Sequence, residues 1–202
     1  MSGAEGAFPA HLLEAVRAVE ARGSATSDLP PLSDGAHAAT KKGLSLLSIR
    51  PRSTHELRER LLVSEHEAWA VDEAVDRMRA WGLLDDADFA REWVRGRRNR
   101  RGKAAGALRL ELQRKGVPER HIDAALSDID ISDEYEKATE LIRGRLDRRG
   151  APRVMGRRGS PEFVKEKRRL VSFLERRGFA GGLALTVVDA ELGRHLESRT
   201  AD

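Results

Sequence analysis

The densest chemistry in this chain lies between Arg95 and Lys103, where Arg95, Arg97, Arg98, Arg100, Arg101 and Lys103 stand almost side by side. Two glycines frame most of the run, Gly96-Arg97-Arg98-Asn99-Arg100-Arg101-Gly102-Lys103-Ala104, which invites comparison with a nucleotide-binding loop. It departs from one twice. A phosphate loop needs four residues between its glycines, so that successive amides wrap the phosphates, and a hydroxyl after the lysine to hold magnesium. Here five residues intervene and Ala104 has no hydroxyl. The run reads instead as a binding surface: cations this crowded repel one another, and a partner that brings phosphates removes the repulsion while releasing its own counterions. Nucleic acid is the natural polyanion, and an acidic protein groove would satisfy the same arginines. With almost no aromatic residues interleaved, contact falls on the backbone rather than the bases, which predicts low sequence specificity.

Other reactive residue types lack the partners that catalysis requires. Asp85, Asp86 and Asp88 would suit a divalent cation, but a helix start attracts carboxylates with no metal present, and no second acidic cluster completes a two-metal site. His66, in Glu65-His66-Glu67, lacks the spacing that brings two imidazoles to one zinc. No Gly-x-Ser-x-Gly elbow supplies a nucleophilic serine, and no cysteine supplies a thiolate or a disulfide. The expectation is a non-enzymatic protein without cofactor or metal. Trp69, Trp81 and Trp93 recur every twelve residues. Trp81 and Trp93 continue apolar stripes and read as core, whereas Trp69 falls off its stripe and is the candidate for partner contact.

Charge is distributed unevenly. The chain carries 37 Lys and Arg against 33 Asp and Glu, a net of only +4. Yet residues 91–115 hold ten basic and two acidic side chains, and residues 143–169 hold eleven and three. Residues 65–88 run the other way, with eight acids and two arginines. Such segregation suggests a polyanion on one face and a different partner on another, where the bland alternative is an ordinary solvated helix surface. The second basic segment adds Arg168 and Arg169, followed by Arg176 and Arg177. Arg109, Arg114 and Lys115 extend the first. These cations form the candidate DNA- or filament-binding set. The amino terminus lacks a basic start followed by an apolar run, and nothing approaches eighteen consecutive apolar residues, so a cytoplasmic protein with no membrane span is expected.

The elements that must carry these residues are helices, because apolar positions recur at three and four and alternation at period two is absent. One helix-ending pattern appears three times: Leu57-x3-Leu61, Leu108-x3-Leu112 before Arg114-Lys115-Gly116-Val117, and Leu170-x3-Leu174 before Arg176-Arg177-Gly178-Phe179. After each comes an apolar pair four apart: Val71 with Val75, Ile122 with Leu126, Ala184 with Val188. This predicts an all-α, elongated array of three tandem three-helix repeats that bury their stripes against one another. The expected organisation is a flexible extension over 1–38, repeats over 39–84, 85–130 and 131–192, a Gly-, Pro- and Arg-rich basic loop at 149–159, and a tail at 193–202. Within the extension, Leu12, Leu13, Val16 and Val19 offer a short amphipathic helix, while Pro30-Pro31 and Ser33-Asp34-Gly35 read as breakers. Ser53 with Glu56 is a capping box, Ser160-Pro161 another helix start, and Gly82, Gly102, Gly116 and Gly178 helix ends.

The block Gly82-Leu83-Leu84-Asp85-Asp86-Ala87-Asp88-Phe89-Ala90-Arg91, followed by Arg97, Gly102 and Leu108-Arg109-Leu110-Glu111-Leu112-Gln113-Arg114-Lys115-Gly116-Val117, resembles the RecX family of recombinase regulators. Arg50-Pro51-Arg52-Ser53 with Glu56-Leu57 upstream, and Phe173-Leu174-Glu175-Arg176-Arg177-Gly178-Phe179 downstream, extend the likeness over roughly 39–192. Lys103 stands where an aromatic residue often follows the glycine, and Ser64-Glu65-His66 where a basic residue and a glycine often stand. The resemblance implies a protein that binds the RecA filament on DNA, inhibits its ATPase and strand exchange and so restrains recombinational repair; single- or double-stranded DNA, read with low sequence specificity, and a monomeric state are the accompanying expectations. The competing expectation is a helix-turn-helix regulator acting alone on a selected DNA sequence. A nuclease built on Asp85, Asp86 and Asp88 is the third class.

Overall fold

A computed structural model describes residues 30–148 and 158–200. The described residues hold nine helices and no strand: α1 (Asp34–Ile49), α2 (Thr54–Leu62), α3 (Ala68–Ala80), α4 (Asp86–Arg101), α5 (Ala105–Arg114), α6 (Glu119–Leu126), α7 (Ile131–Arg148), α8 (Pro161–Glu175) and α9 (Gly181–Thr200). None is long and apolar enough to cross a membrane. The amphipathic segment at Leu12 to Val19, and residues 149–157 of the basic loop, lie outside the described residues.

The three apolar pairs are all buried, as their four-residue spacing requires. The middle helix of each set ends on a left-handed residue four positions after its last buried leucine: Glu65 (φ 62) after Leu61, Gly116 (φ 67) after Leu112, Gly178 (φ 89) after Leu174. Glycine reaches that geometry freely and a side chain does not. Ser53 caps α2 through its hydroxyl, which accepts from Glu56 N, while the Glu56 carboxylate accepts from Ser53 N. Ser160 caps α8 by accepting from Phe163 N.

One expectation is overturned. Ser33-Asp34-Gly35 does not break the chain but starts α1, so the first helix opens five residues before Ala39. Ser33 is held by Glu73, whose carboxylate accepts from the serine nitrogen at 3.0 Å and from its hydroxyl at 2.6 Å. The same hydroxyl accepts from Ala36 N. Those bonds hold the Glu73 carboxyl below its ordinary value. Turn-forming residue types are also helix-capping types, and a distant glutamate decided between the two roles.

The chain divides into two compact units, Met1–Ala90 with Gln113–Ile122, and Arg91–Leu112 with Asp123–Asp202. In the first, α1 packs against α2 and α3 over Leu46, Leu47, Leu57, Leu61, Val71, Val75 and Met78. Its electrostatic anchor is Glu56, bonded to Lys115 at 2.8 Å and to Arg50 at 3.1 Å. Burial raises the Glu56 pKa, but these cations outweigh it and bring the carboxyl from 4.5 to about 2. The buried Ser53 hydroxyl donates to Lys115 O at 2.5 Å, joining the start of α2 to the end of α5. In the second unit, α9 packs against α7 and α8 over Ile142, Leu146, Phe163, Leu170, Leu174, Val187, Val188 and Leu192.

Two substitutions test this packing. Leu112 is fully buried, so Leu112→Asp, which leaves a lone carboxylate in an apolar site, should cost several kcal/mol; a wild-type melting temperature with full helical circular dichroism would place Leu112 elsewhere. Glu65 has an exposed side chain and a left-handed backbone, so Glu65→Gly should stabilise the first unit by about 1 kcal/mol. The gain would appear as a higher urea midpoint at unchanged slope.

Candidate functional site

The second unit contains a cavity of about 720 Å³ whose walls come from three places in the chain. The end of α4 and the turn after it supply Asn99, Arg100, Arg101, Gly102 and Lys103. One face of α7 supplies Lys137, Glu140, Leu141 and Arg145, and the end of α8 supplies Phe173, Arg176 and Arg177. Seven cations therefore face one carboxylate, Glu140, which is occupied by Lys137 at 2.6 Å.

Close backbone approach builds the walls. Gly102 has φ 57, and a Cβ there would stand 2.8 Å from the Leu141 side chain, so glycine lets the basic run lie directly against α7. Gly178 has φ 89, and a Cβ there would stand 2.5 Å from the Ala107 nitrogen. Between these two contacts, Ala104 N donates to Arg177 O at 2.9 Å, fastening the turn after α4 to the end of α8. Two of the glycine-ended helices, α4 and α8, thus converge on one cavity.

The aromatic ring is enclosed rather than open. Phe173 is buried, with the Arg145 guanidinium 4.2 Å and the Arg177 guanidinium 3.8 Å from its centroid. A guanidinium over a ring face is attracted to the π quadrupole and loses less on desolvation than an ammonium would. Burial, then the neighbouring Arg176, pushes the Arg177 pKa down from its ordinary value. Its Nε is buried without a hydrogen-bond partner among the described residues. This is charge held in place and left incompletely compensated.

Of the sequence candidates, Arg100, Arg101, Lys103, Arg176 and Arg177 line the cavity. Arg100, Arg101 and Arg176 have no carboxylate partner among the described residues, while Lys103 lies 3.2 Å from Glu111. The others serve different contacts. Arg97 stacks 4.2 Å over Trp93 and lies 3.7 Å from Glu111. Arg98 bonds Glu134 at 2.8 Å and Asp133 O at 2.9 Å, and Glu134 also accepts from Ala105 N, so this pair ties α4 to the starts of α5 and α7. Arg95 pairs with Glu92, Arg109 with Asp123 and Arg169 with Glu166. Arg168 is exposed on α8 away from the cavity lining. Arg114 and Lys115 belong to the first unit, where Lys115 holds Glu56 and lies 5.7 Å from the Phe89 ring.

Sequence reasoning missed Lys137, Arg145 and Phe173. Lys137, Leu141 and Arg145 are spaced at four, and Phe173, Arg176 and Arg177 at three and four, so each trio shares a helical face. That spacing is the signal in the sequence that places them together, although neither Lys137 nor Arg145 lies in the basic run from Arg95 to Lys103. Among the remaining candidates, Asp85 is a helix cap, accepting from Ala87 N and Asp88 N, and Asp86 accepts from Thr54 N. Trp93 donates its indole N–H to Glu111. Trp69 is 57% exposed, with its ring edge against Gly35.

Residues 39–78 match the family model described as the first three-helix domain of RecX, and residues 85–126 the model of its second three-helix domain. The chain is 39% identical over 157 residues to the regulatory protein RecX of Mycolicibacterium smegmatis, covering 77% of this chain and 80% of that protein. It is also 39% identical over 184 residues to that of Mycolicibacterium vanbaalenii, covering 85% and 96%. A crystal structure of regulatory protein RecX superposes with a TM-score of 0.63 at 26% identity, over 77% of this chain and 74% of that one. The fold is shared with RecX from Lactobacillus salivarius at a TM-score of 0.63 and 19% identity, over 78% and 96%.

The two kinds of arginine in the basic run should separate on substitution. Arg98→Ala strands the half-buried Glu134 carboxylate and should destabilise the second unit by about 2 kcal/mol. Arg101→Ala, at an exposed position without a carboxylate partner, should move stability by less than about 0.5 kcal/mol. Equal shifts in denaturant midpoint would contradict the division.

Proposed function

Because the chain belongs to the RecX family of regulatory proteins, we propose that it restrains the RecA recombinase, binding the RecA filament on DNA and slowing its ATP hydrolysis and strand exchange. The observation that carries the DNA contact is the cavity in which seven cations meet one already paired carboxylate. The regulator works without a reaction of its own, as a monomer in the cytoplasm. Its successive three-helix sets give several weak contacts to a repeating polymer. Once one set docks, the next meets its site at high effective concentration, so modest individual affinities combine into useful occupancy. A protein spanning neighbouring filament subunits favours the arrangement it binds and opposes the rearrangements that hydrolysis and exchange require.

Phosphate contact falls to the cations that internal carboxylates leave over. Arg100, Arg101, Arg176 and Arg177 are the foremost of these, Arg114 and Arg168 are further candidates, and Lys103, Arg109, Lys115 and Arg169 would add charge while held in ion pairs of their own. Arg95, Arg97 and Arg98 contribute chiefly by holding the helices that present the others. Contact through backbone phosphates predicts little preference among DNA sequences, which separates this reading from a helix-turn-helix regulator, expected to favour its site about a thousandfold or more.

The decisive measurement follows DNA-dependent ATP hydrolysis by the cognate RecA as this protein is added at substoichiometric ratios. Hydrolysis should fall, and turnover unchanged at equimolar protein would defeat the proposal. Replacing Arg100, Arg101, Arg176 and Arg177 together with alanine should weaken single-stranded DNA binding and flatten its log-log salt slope by roughly three, at about 0.7 per phosphate contact. A slope equal to wild type would remove these side chains from the interface.

A further inference from the structure

The cavity of the second unit differs from a merely basic surface in being concave, walled on several sides and provided with cations fixed in position. Its volume of about 720 Å³ falls within the range of small-ligand sites, roughly 300–1,000 Å³. An extended phosphate backbone lying along a flat face needs no such enclosure. We propose that this cavity is a discrete oligophosphate site, which takes a compact run of three or more phosphate charges irrespective of the base attached. This rests on the DNA contact proposed above for the cavity's place in regulation, but its geometry stands on the second unit alone.

Three observations point the same way. First, the unpartnered rim cations Arg100, Arg101 and Arg176 come from two separate helix ends that the Ala104-to-Arg177 backbone bond holds together. Their backbones are held near one another while the exposed side chains stay mobile, so an anion received between them lowers the mutual repulsion of the group. Second, the Arg145 and Arg177 guanidiniums are pinned on the faces of Phe173, at 4.2 and 3.8 Å, and so are oriented before any ligand arrives. Fixing a side chain in advance removes much of the ordering cost of binding. Third, Phe173 is only 7% exposed and carries two guanidiniums over its ring, so the cavity offers little aromatic surface to a base. Recognition falls to phosphate oxygens, for which a planar guanidinium fork is the matched donor.

The ligand chemistry can reach the site from two sources, a free oligophosphate such as a nucleoside triphosphate, or successive phosphodiesters of a single strand. Inorganic tripolyphosphate probes the first without a base, and a fluorescein-labelled fifteen-residue thymidylate strand probes the second. Titration calorimetry of the full-length protein with tripolyphosphate, in magnesium-free buffer, should show one saturable site per chain. Arg101→Gln and Arg176→Gln should each weaken that site about tenfold, the loss expected for one charged hydrogen bond. Lys165→Gln, the same charge change on an exposed part of α8 outside the cavity, should change it less than about twofold. Circular dichroism of all three variants should match wild type.

Strand binding by anisotropy then assigns the source. Displacement of the strand by tripolyphosphate shows both entering one site, and saturable tripolyphosphate binding without displacement assigns the cavity to the free oligophosphate. Strand binding that is weakened by the two cavity variants, with no tripolyphosphate bound, assigns it to phosphodiesters. The proposal is overturned if neither ligand's affinity responds to Arg101→Gln and Arg176→Gln, or if Lys165→Gln weakens binding equally, the mark of diffuse charge. Recombinase inhibition surviving such a result would leave the proposed regulation standing without this site.

Discussion

A single backbone hydrogen bond, from Ala104 N to Arg177 O at 2.9 Å, joins two helix ends that lie more than seventy residues apart in the chain. It depends on the glycines beside it. Gly102 passes against Leu141 and Gly178 against the Ala107 backbone, each at a left-handed φ and each where a Cβ would overlap its neighbour. Side chains are excluded at both positions for two independent reasons, conformation and space. Once the bond forms, Arg100 and Arg101 face the same cavity as Arg176 and Arg177. The fastening creates the electrostatic problem: cations that would separate in a flexible chain are held close, and the buried apolar residues of the second unit supply the free energy that keeps them there.

Proximity to carboxylates sorts the arginines into those that build and those that face outward. Arg98 has side-chain exposure of 16% and spans Glu134 and Asp133 O; a charge so placed becomes a liability once its partner is removed. Arg97 is covered similarly by Trp93 and Glu111. Pairs such as Arg95 with Glu92 are exposed and contribute little to stability. Charge density along the sequence therefore overstates the number of residues facing a partner. It understates the reach of the site, because Lys137 and Arg145 arrive on α7, outside the basic run.

The helices were legible because each carries its own instruction: a capping box at Ser53 and Glu56, a serine–proline start at Ser160, and apolar pairs four apart that prove buried. Legibility failed where a local motif supports two outcomes and a distant residue chooses. Ser33-Asp34-Gly35 is as good a turn as a helix start, and only Glu73, forty residues on, makes it the latter. The cavity was half legible for the same reason. Its arginines stand out as runs, but the pairing of the α4 end with the α8 end follows from a backbone bond that no spacing announces. Phe173 reads as core from its period, and it is core; that it also orients two guanidiniums depends on which side chains lie over its faces.

The repeated helix terminator shows how far such an instruction can drift. At Gly116 a Cβ would overlap the His55 side chain, and at Gly178 the Ala107 backbone, so packing as well as φ demands glycine. The first set keeps the left-handed turn at Glu65, at φ 62, with an exposed side chain. Where no neighbour crowds the position, a side chain costs only the backbone strain, about 1 kcal/mol, which a unit with a well-filled core can carry. Crowding adds a steric overlap that the neighbouring backbone has no room to relieve. The terminator is therefore kept as glycine where helix ends meet other parts of their own unit and relaxed where the turn faces outward. In the second unit, that places the strictest sequence requirement at the ends that form the cationic cavity.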